Sequence, residues 1–250
     1  MTDAEPRFLP FGDAALLVEY GRRVDRGLSA RVLALDAAVQ DAAIPGIVET
    51  APSFRSLMVQ FDPLQTELGA VVERLRPLAE QAVAERSDRP ARIWRIPACY
   101  EGDCAPDLDE VAERAGLDRS AVVDLHVGQD HHVYMIGFLT GCPYMGDLPA
   151  EIDFPRRKEP RVRVPAGSVA IAIGLTVIYP ADSPGGWRLI GRTPAALFDP
   201  AAVPPILLEP GDAVRFEPIG ARAYERIAVA VAAGDWRPER IDAVELAGAL

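Results

Sequence analysis

The chain has 250 residues, of which 49% are hydrophobic and 25% charged, a composition that excludes disorder, collagen-like repeats and a disulfide scaffold. The length suits one large domain or two modest ones. A formal charge of -11 is a poor match for nucleic-acid phosphates or anionic lipid, so neither is an expected partner.

The opening MTDAEPRFLPFGD has no basic stretch followed by an apolar one, and no run reaches the roughly 18 apolar residues of a membrane span. A cytoplasmic location is the expectation. Three cysteines, Cys99, Cys104 and Cys142, are an odd number without a secretory signal and are read as reduced thiols. Lys158 is the only lysine and no Gly-Lys-Ser/Thr triplet occurs, which eliminates a Walker A loop.

In chain order, AALLVEY (14–20) predicts a strand and LSARVLALDAAVQDA (28–42) a helix, with Leu28, Val32, Leu35 and Val39 at helical spacing. Strands over 47–53 and 56–62 and a helical run after Thr66, kinked or broken at Pro77, complete a small layer. The polar stretch Ser87-Asp88-Arg89-Pro90 marks a boundary, giving an N-terminal α/β domain over 1–88. Beyond it come a strand over 92–99, a helix in which Asp107 and Glu110 form a capping box, and a helix RSAVVDLHV. From residue 131 short β-rich runs follow (133–138, 161–165, 168–174, 176–180, 187–192 and 213–219), punctuated by Gly and Pro. That rhythm predicts an antiparallel barrel over 89–220, with 221–250 as a helical tail. The fold class is α+β.

Familiar nucleophile and metal signatures are missing, and His126, His131 and His132 have no acidic or cysteine partner at a diagnostic spacing, so no metal site is expected. GFLTGCPYMGDL (137–148) combines glycines with Phe138, Pro143 and Tyr144, which suits either a rigid aromatic-walled pocket or barrel corners with core aromatics. PRRKEPRVR (155–163) places five basic residues beside one acid in an acidic chain, either a solvated surface or an anion patch. In SPGGWRLIGRT (183–193) a Gly185-Gly186 turn allows close approach of backbone amides, Trp187 supplies a flat face, and Arg188 and Arg192 supply forked donors for carboxylate or phosphate. The competing reading pairs Arg192 with Asp199 and puts Trp187 in the core.

These segments, with HVGQDHHVYMIGFLTGCPYMGDL, PRRKEPRVRVPAGSVAIA, IYPADSPGGWRLIGRTPAALFDP and the N-terminal FLPFGDAALLVEYG, resemble the family of KipI and the 5-oxoprolinase B subunit, also called allophanate hydrolase subunit 1. The resemblance implies an N-terminal α/β domain and a cyclophilin-like barrel. It further implies assembly with a larger C subunit and a third subunit, hydrolysing 5-oxoproline, a small cyclic amide, with ATP and Mg2+ held in the complex and not by this chain alone. In that reading Arg188 and Arg192 hold an anion, Tyr144 and Trp187 wall the pocket with Thr176, Gly185 and Gly186, and His126 transfers or orients a proton. Two other roles occur among relatives, inhibition of a histidine kinase and half of a biotin-dependent carboxyltransferase. The chain departs from the family pattern at Thr140 and Cys142 and at Leu175-Thr176-Val177.

Overall fold

The structure is a computed structural model, and it describes residues 5–82 and 92–242. The chain divides into two compact units, Met1–Arg89 and Pro90–Leu250. Ser87-Asp88-Arg89-Pro90 lies outside the described residues.

The first unit is a four-stranded antiparallel sheet in the order β1-β2-β4-β3, built from β1 (Arg7–Pro10), β2 (Ala15–Glu19), β3 (Ile47–Pro52) and β4 (Ser56–Phe61). Alternation puts Leu16 and Val18 of β2 and Leu57, Val59 and Phe61 of β4 on one face. Helices α1 (Arg26–Ala42) and α2 (Leu68–Gln81) cover that face with Val32, Leu35, Val39, Val71, Leu75 and Ala79. Asp25 caps α1 by accepting from the Leu28 amide at 2.9 Å. Pro77 does not end α2, which continues to Gln81. Its missing amide removes one helical bond, but Leu75 and Ala79 are buried on either side of it and hold the helix to the sheet. β1, where the sequence pattern predicts no strand, pairs with β2 as an edge.

The second unit is a barrel. Strands β5 (Arg92–Cys99), β6 (His131–Ile136), β7 (Pro143–Gly146), β9 (Ser168–Ala172), β10 (Leu175–Ile178), β12 (Arg188–Arg192) and β13 (Ala213–Ile219) run in the order β12-β9-β10-β7-β6-β13-β5. The pairing of Arg192 with Cys99 joins β12 to β5 and closes the ring. It is not wholly antiparallel: β13 runs parallel to β5 from Ala213↔Ile93 to Ile219↔Cys99. A ribbon of β8 (Arg161–Val164) and β11 (Ser183–Gly185) stands apart as a two-stranded sheet. β7 and β11 are short strands where the sequence predicts a pocket loop and a turn, because their Pro and Gly content masks the strand signal.

Helices α3 (Leu108–Ala115) and α4 (Arg119–Val127) pack on the barrel core through Leu108, Val111, Ala112 and Val122. The tail is helical only in part. After α5 (Ala221–Ala232) the chain turns back as β14 (Glu239–Asp242), which pairs with the Arg92–Arg95 half of β5. That half of β5 is thereby covered on its free side, which removes an exposed ladder.

Barrel strands are buried on both sides. Val169, Ile171, Ile178, Ile190 and Met145 belong to the interior core, while Ala170, Ala172, Val177, Leu189 and Tyr144 form a second cluster outside the wall. This two-sided burial explains why VAIA, residues 169–172 of β9, is apolar without alternation.

The β9–β10 turn places Ile173 at φ 47 and Gly174 at φ 74. A two-residue hairpin with both angles positive is a type I′ turn, which favours Asn-Gly. Ile173 is half exposed and packs too little to offset a left-handed β-branched residue. Ile173→Asn should stabilise the chain by about 1 kcal/mol in chemical denaturation; an unchanged or lowered stability would show that the Ile173 side chain makes up for its backbone strain.

Candidate functional site

The outer face of the barrel wall gathers several of the expected site residues. Tyr144 leaves β7 and Trp187 leads into β12, and their rings meet edge to face at 5.9 Å with an interplanar angle of 82°. The exposed Arg156 guanidinium lies 5.4 Å from the Trp187 ring centroid, within cation–π reach. The β8–β11 ribbon flanks this pair, with Arg161 opposite Gly185 and Val164 opposite Ser183.

Gly185 has a packing reason. A Cβ there would sit 2.4 Å from the Tyr179 hydroxyl, so glycine is what lets the phenol reach the ribbon. Gly186 binds through its carbonyl, which accepts from the Arg157 amide at 2.7 Å. Two buried polar atoms of the ribbon, Ser183 Oγ and Arg161 Nη1, have no hydrogen-bond partner within the described residues, an unusual state for buried donors. Burial pushes Tyr179 up to about 12 and also raises Tyr144. The Cys142 thiol in the same cluster is pushed by burial to about 12. Trp187, 4% exposed, belongs to the core of this cluster with Tyr179, so what the face leaves open at neutral pH is the protonated Tyr144 and the exposed Arg156 guanidinium.

Arg188 has a different place from the one expected. Its Nε donates to Glu110 Oε1 at 3.0 Å and its Nη1 to the Pro155 carbonyl, and the side chain is buried. Glu110 also accepts from Arg157 at 3.0 Å. Asp107, 4% exposed, accepts from the Leu189 amide at 2.7 Å, from Arg157 at 3.3 Å and from Arg161 at 2.5 Å. The expected capping box does not form: Asp107 precedes α3 but makes no side-chain cap. A buried carboxylate is better satisfied by guanidinium groups and an otherwise unpaired amide than by a helix end near solvent. Part of the basic run at 155–163 is thus an internal counter-charge. Arg163 pairs with Asp182 at 2.6 Å.

His126 and Thr176 come together, but inside the barrel. His126 is fully buried; its Nδ1 lies 3.0 Å from the Tyr100 hydroxyl and its Nε2 3.3 Å from Thr176 Oγ1. The Tyr100 phenol, held protonated by burial, donates to Nδ1, which leaves the proton on Nε2 to be donated to Thr176. His131 Nε2 donates to the His126 carbonyl at 2.7 Å, and the two imidazole rings lie 4.6 Å apart. Burial first, and then the electrostatic influence of neighbouring His131, hold the His126 pKa well below the ordinary histidine value. It is a neutral, internally bonded side chain, out of reach of a ligand on the outer face.

Arg192 stands at the barrel seam. Its Nε donates to the Ala166 carbonyl at 2.9 Å, and it has no ion pair with Asp199 or another acid among the described residues. Its charge acts on Cys104, on Tyr224 and on Asp182. The sequence gives no sign of a cleft of about 450 Å³ lined by Tyr100, Glu101, Leu108, Arg119, Asp124 and Gly220. Its lining comes from four separate stretches of chain, so no local motif could reveal it. Among the described residues no cluster of three or more His, Cys, Asp and Glu side chains could hold a metal ion, and no helix is long and apolar enough to cross a membrane.

Two measurements check this arrangement. Asp107→Ala should destabilise the chain by about 3–5 kcal/mol, because it strands Arg161 and the Leu189 amide in a buried setting; a loss below about 1 kcal/mol would mean that solvent replaces the carboxylate. Because the His126 pKa is lowered on folding, the unfolded chain binds a proton below pH ~6.5 that the native chain refuses. Stability should therefore fall by about 1.4 kcal/mol per pH unit from this residue as the medium is acidified below that value. Denaturation curves of His126→Gln should lose that slope; an identical slope would place the acid sensitivity elsewhere.

Both the sequence and the fold match known proteins. Residues 6–208 match the family described as carboxyltransferase domain, subdomain C and D. The chain is similar to the 5-oxoprolinase B subunit of Bacillus subtilis (strain 168), with 38% identity over 85% of this chain and 92% of the relative. It is likewise similar to the 5-oxoprolinase B subunit of Escherichia coli O157:H7, with 41% identity over 83% of this chain and 93% of the relative. The crystal structure of TTHA0988 superposes with a TM-score of 0.73 at 35% identity, covering 83% of this chain and 40% of that one. Matches of this identity along most of both chains, on a barrel with the same architecture, make the chain a member of the 5-oxoprolinase B subunit family, within the carboxyltransferase-domain subdomain C and D group.

Proposed function

We propose that the chain is the B subunit of an ATP-dependent 5-oxoprolinase-type hydrolase, contributing a recognition face to a cytoplasmic assembly with a larger C subunit and a third subunit. The observation that carries this reading is the composition of the outer face. Tyr144, Arg156 and the margin of the ribbon supply a plane, a hydroxyl and positive charge, with Trp187 buried behind them, yet among the described residues no nucleophile there is paired with a base. Cys142 is held protonated and His126 is sealed in the interior. Such a face can orient a small polar ring and favour its carboxylate.

The reaction asks for no protein nucleophile. Transfer of the terminal phosphoryl group of ATP to the lactam oxygen makes the ring carbon electrophilic, and water then opens the C–N bond to give glutamate and inorganic phosphate. No residue of this chain is assigned to ATP or Mg2+, which this reading places in the assembled complex. The family's description favours a second role, half of a biotin-dependent carboxyltransferase, which would require a biotin carrier in place of phosphoryl transfer.

The test is reconstitution with the larger C subunit of the same system. The isolated chain should show no 5-oxoproline-dependent ATP hydrolysis, and the complex should show it. Arg156→Gln in the complex should raise KM for 5-oxoproline about tenfold or more, from the loss of a charge-assisted contact of about 1.5–3 kcal/mol, with melting unchanged because Arg156 is exposed. Turnover by the isolated chain, or a reconstituted complex that carboxylates with biotin and ignores 5-oxoproline, would overturn the reading.

A further inference from the structure

The cleft of about 450 Å³ is walled by α4, by the turn that follows β5 and by the end of β13. Arg119 and Val123, and likewise Ser120 and Asp124, stand four residues apart on α4 and so share the side of the helix that lines the cleft. Tyr100 and Glu101 line it from the turn. The floor is apolar, with Leu108 buried and Val123 and Ile219 half-buried.

Charges of both signs border this floor, and two of them are held in place by the protein. The Arg119 guanidinium donates from Nη1 to Asp109 at 2.6 Å and from Nη2 to the Tyr100 carbonyl at 3.3 Å. A guanidinium has five N–H donors, so three stay unused. Glu101 accepts from the Ala221 amide through Oε2 at 3.1 Å, which leaves Oε1. The Asp124 carboxylate has no hydrogen bond or ion pair among the described residues, and neither carboxylate pairs with Arg119, although all three groups line one cleft. Opposite charges that share a cleft without neutralising each other suit a ligand that carries both signs.

We propose that this cleft binds a zwitterionic α-amino acid with an apolar side chain. The ammonium group donates to Glu101 Oε1 and to Asp124, the carboxylate accepts from the unused N–H groups of Arg119, and the side chain lies over Leu108, Val123 and Ile219. Both signs are required, because a simple amine would leave the Arg119 donors unused and a simple carboxylate would face Glu101 and Asp124. A side-chain carboxylate, as in glutamate, would be set against the apolar floor and two like charges. Since Arg119 and Glu101 are already pinned by their own bonds, little side-chain freedom is lost on binding.

The site shares no residue with the Tyr144–Arg156 face and does not depend on the assigned function. A lactam such as 5-oxoproline, whose nitrogen is an uncharged amide, lacks the ammonium group that the cleft requires. The ligand would join α4 to the turn after β5, whose Tyr100 hydroxyl holds His126 inside the barrel at 3.0 Å. Occupancy therefore stabilises the native chain, and the more so as the ligand concentration exceeds Kd.

The experiment titrates the full-length chain with L-leucine and L-phenylalanine by calorimetry and follows thermal melting with each. The expected result is saturable binding of one amino acid per chain and a rise in Tm. N-acetyl-L-leucine, which lacks the ammonium group, L-leucinamide, which lacks the carboxylate, and L-glutamate should each bind about tenfold more weakly than L-leucine or worse, the effect of losing a charge-assisted hydrogen bond or opposing like charges. Asp124→Asn keeps the shape of the wall and removes one charge, so it should melt like the native chain without ligand and bind L-leucine about tenfold more weakly. Absence of saturable binding of both apolar amino acids by the native chain, equal binding of L-leucinamide or N-acetyl-L-leucine, or native-like L-leucine binding by Asp124→Asn would overturn the proposal.

Discussion

The second unit depends on how one buried carboxylate is neutralised. Asp107 sits where α3 begins, nearly without solvent, and a charge in that position persists only if it is paired and hydrogen-bonded. The Leu189 amide satisfies it from the barrel wall, and Arg157 and Arg161 satisfy it from the basic segment. These bonds tie a helix, a strand and the start of the β8–β11 ribbon to a single point. Glu110, one turn on, extends the junction to Arg188. The ribbon cannot detach from the barrel without stranding two guanidinium groups and a carboxylate, so its position over the outer face is electrostatically determined.

Two-sided burial of the barrel strands follows from that cover. With the ribbon in place, Val177, Leu189 and Ala170 on the outside are as dry as Ile171 and Ile190 on the inside. The chemistry therefore separates by face. Inside, hydroxyl and imidazole close a chain from Tyr100 through His126 to Thr176, which uses their hydrogen-bonding capacity internally. Outside, Tyr179 and Trp187 are buried in the cluster, and half-buried Tyr144 and exposed Arg156 are left at the margin of the ribbon. Alternation along β7 and β10 decides which residue belongs to which, and a one-residue slip would exchange them.

Family membership does not by itself fix a chemistry, since the matches include a family described as a carboxyltransferase domain as well as oxoprolinase subunits. Cys142 and Val177 are both members of the outer cluster, where they make its floor apolar and keep the thiol protonated. The exposed Arg156 guanidinium lies at the rim of that floor, over the Trp187 ring.

The strand and helix periods are legible residue by residue: AVRFEPI, RSAVVDLHV and RIWRIPAC occupy the elements their patterns predict. A strand's period reports burial, and burial repeats locally, so adjacent residues carry the information. Local pattern leaves the use of Trp187 and Gly185 open between pocket and core, and the fold buries Trp187 and sets Gly185 against the Tyr179 hydroxyl. Local pattern cannot say which charges pair. Arg188 and Arg192 are four residues apart with the same chemistry, and one is locked to Glu110 while the other stands at the seam. The same limit hides the partners of His126, Tyr100 and Thr176, which lie 26 and 50 residues away along the chain. Composition and periodicity thus determined the layers and their faces by themselves. The pairing of buried charges, the closing of the barrel and the fate of each polar group were decided only by tertiary structure, because a buried charge or hydrogen bond is satisfied by whatever the fold brings within about 3 Å, at any distance in sequence.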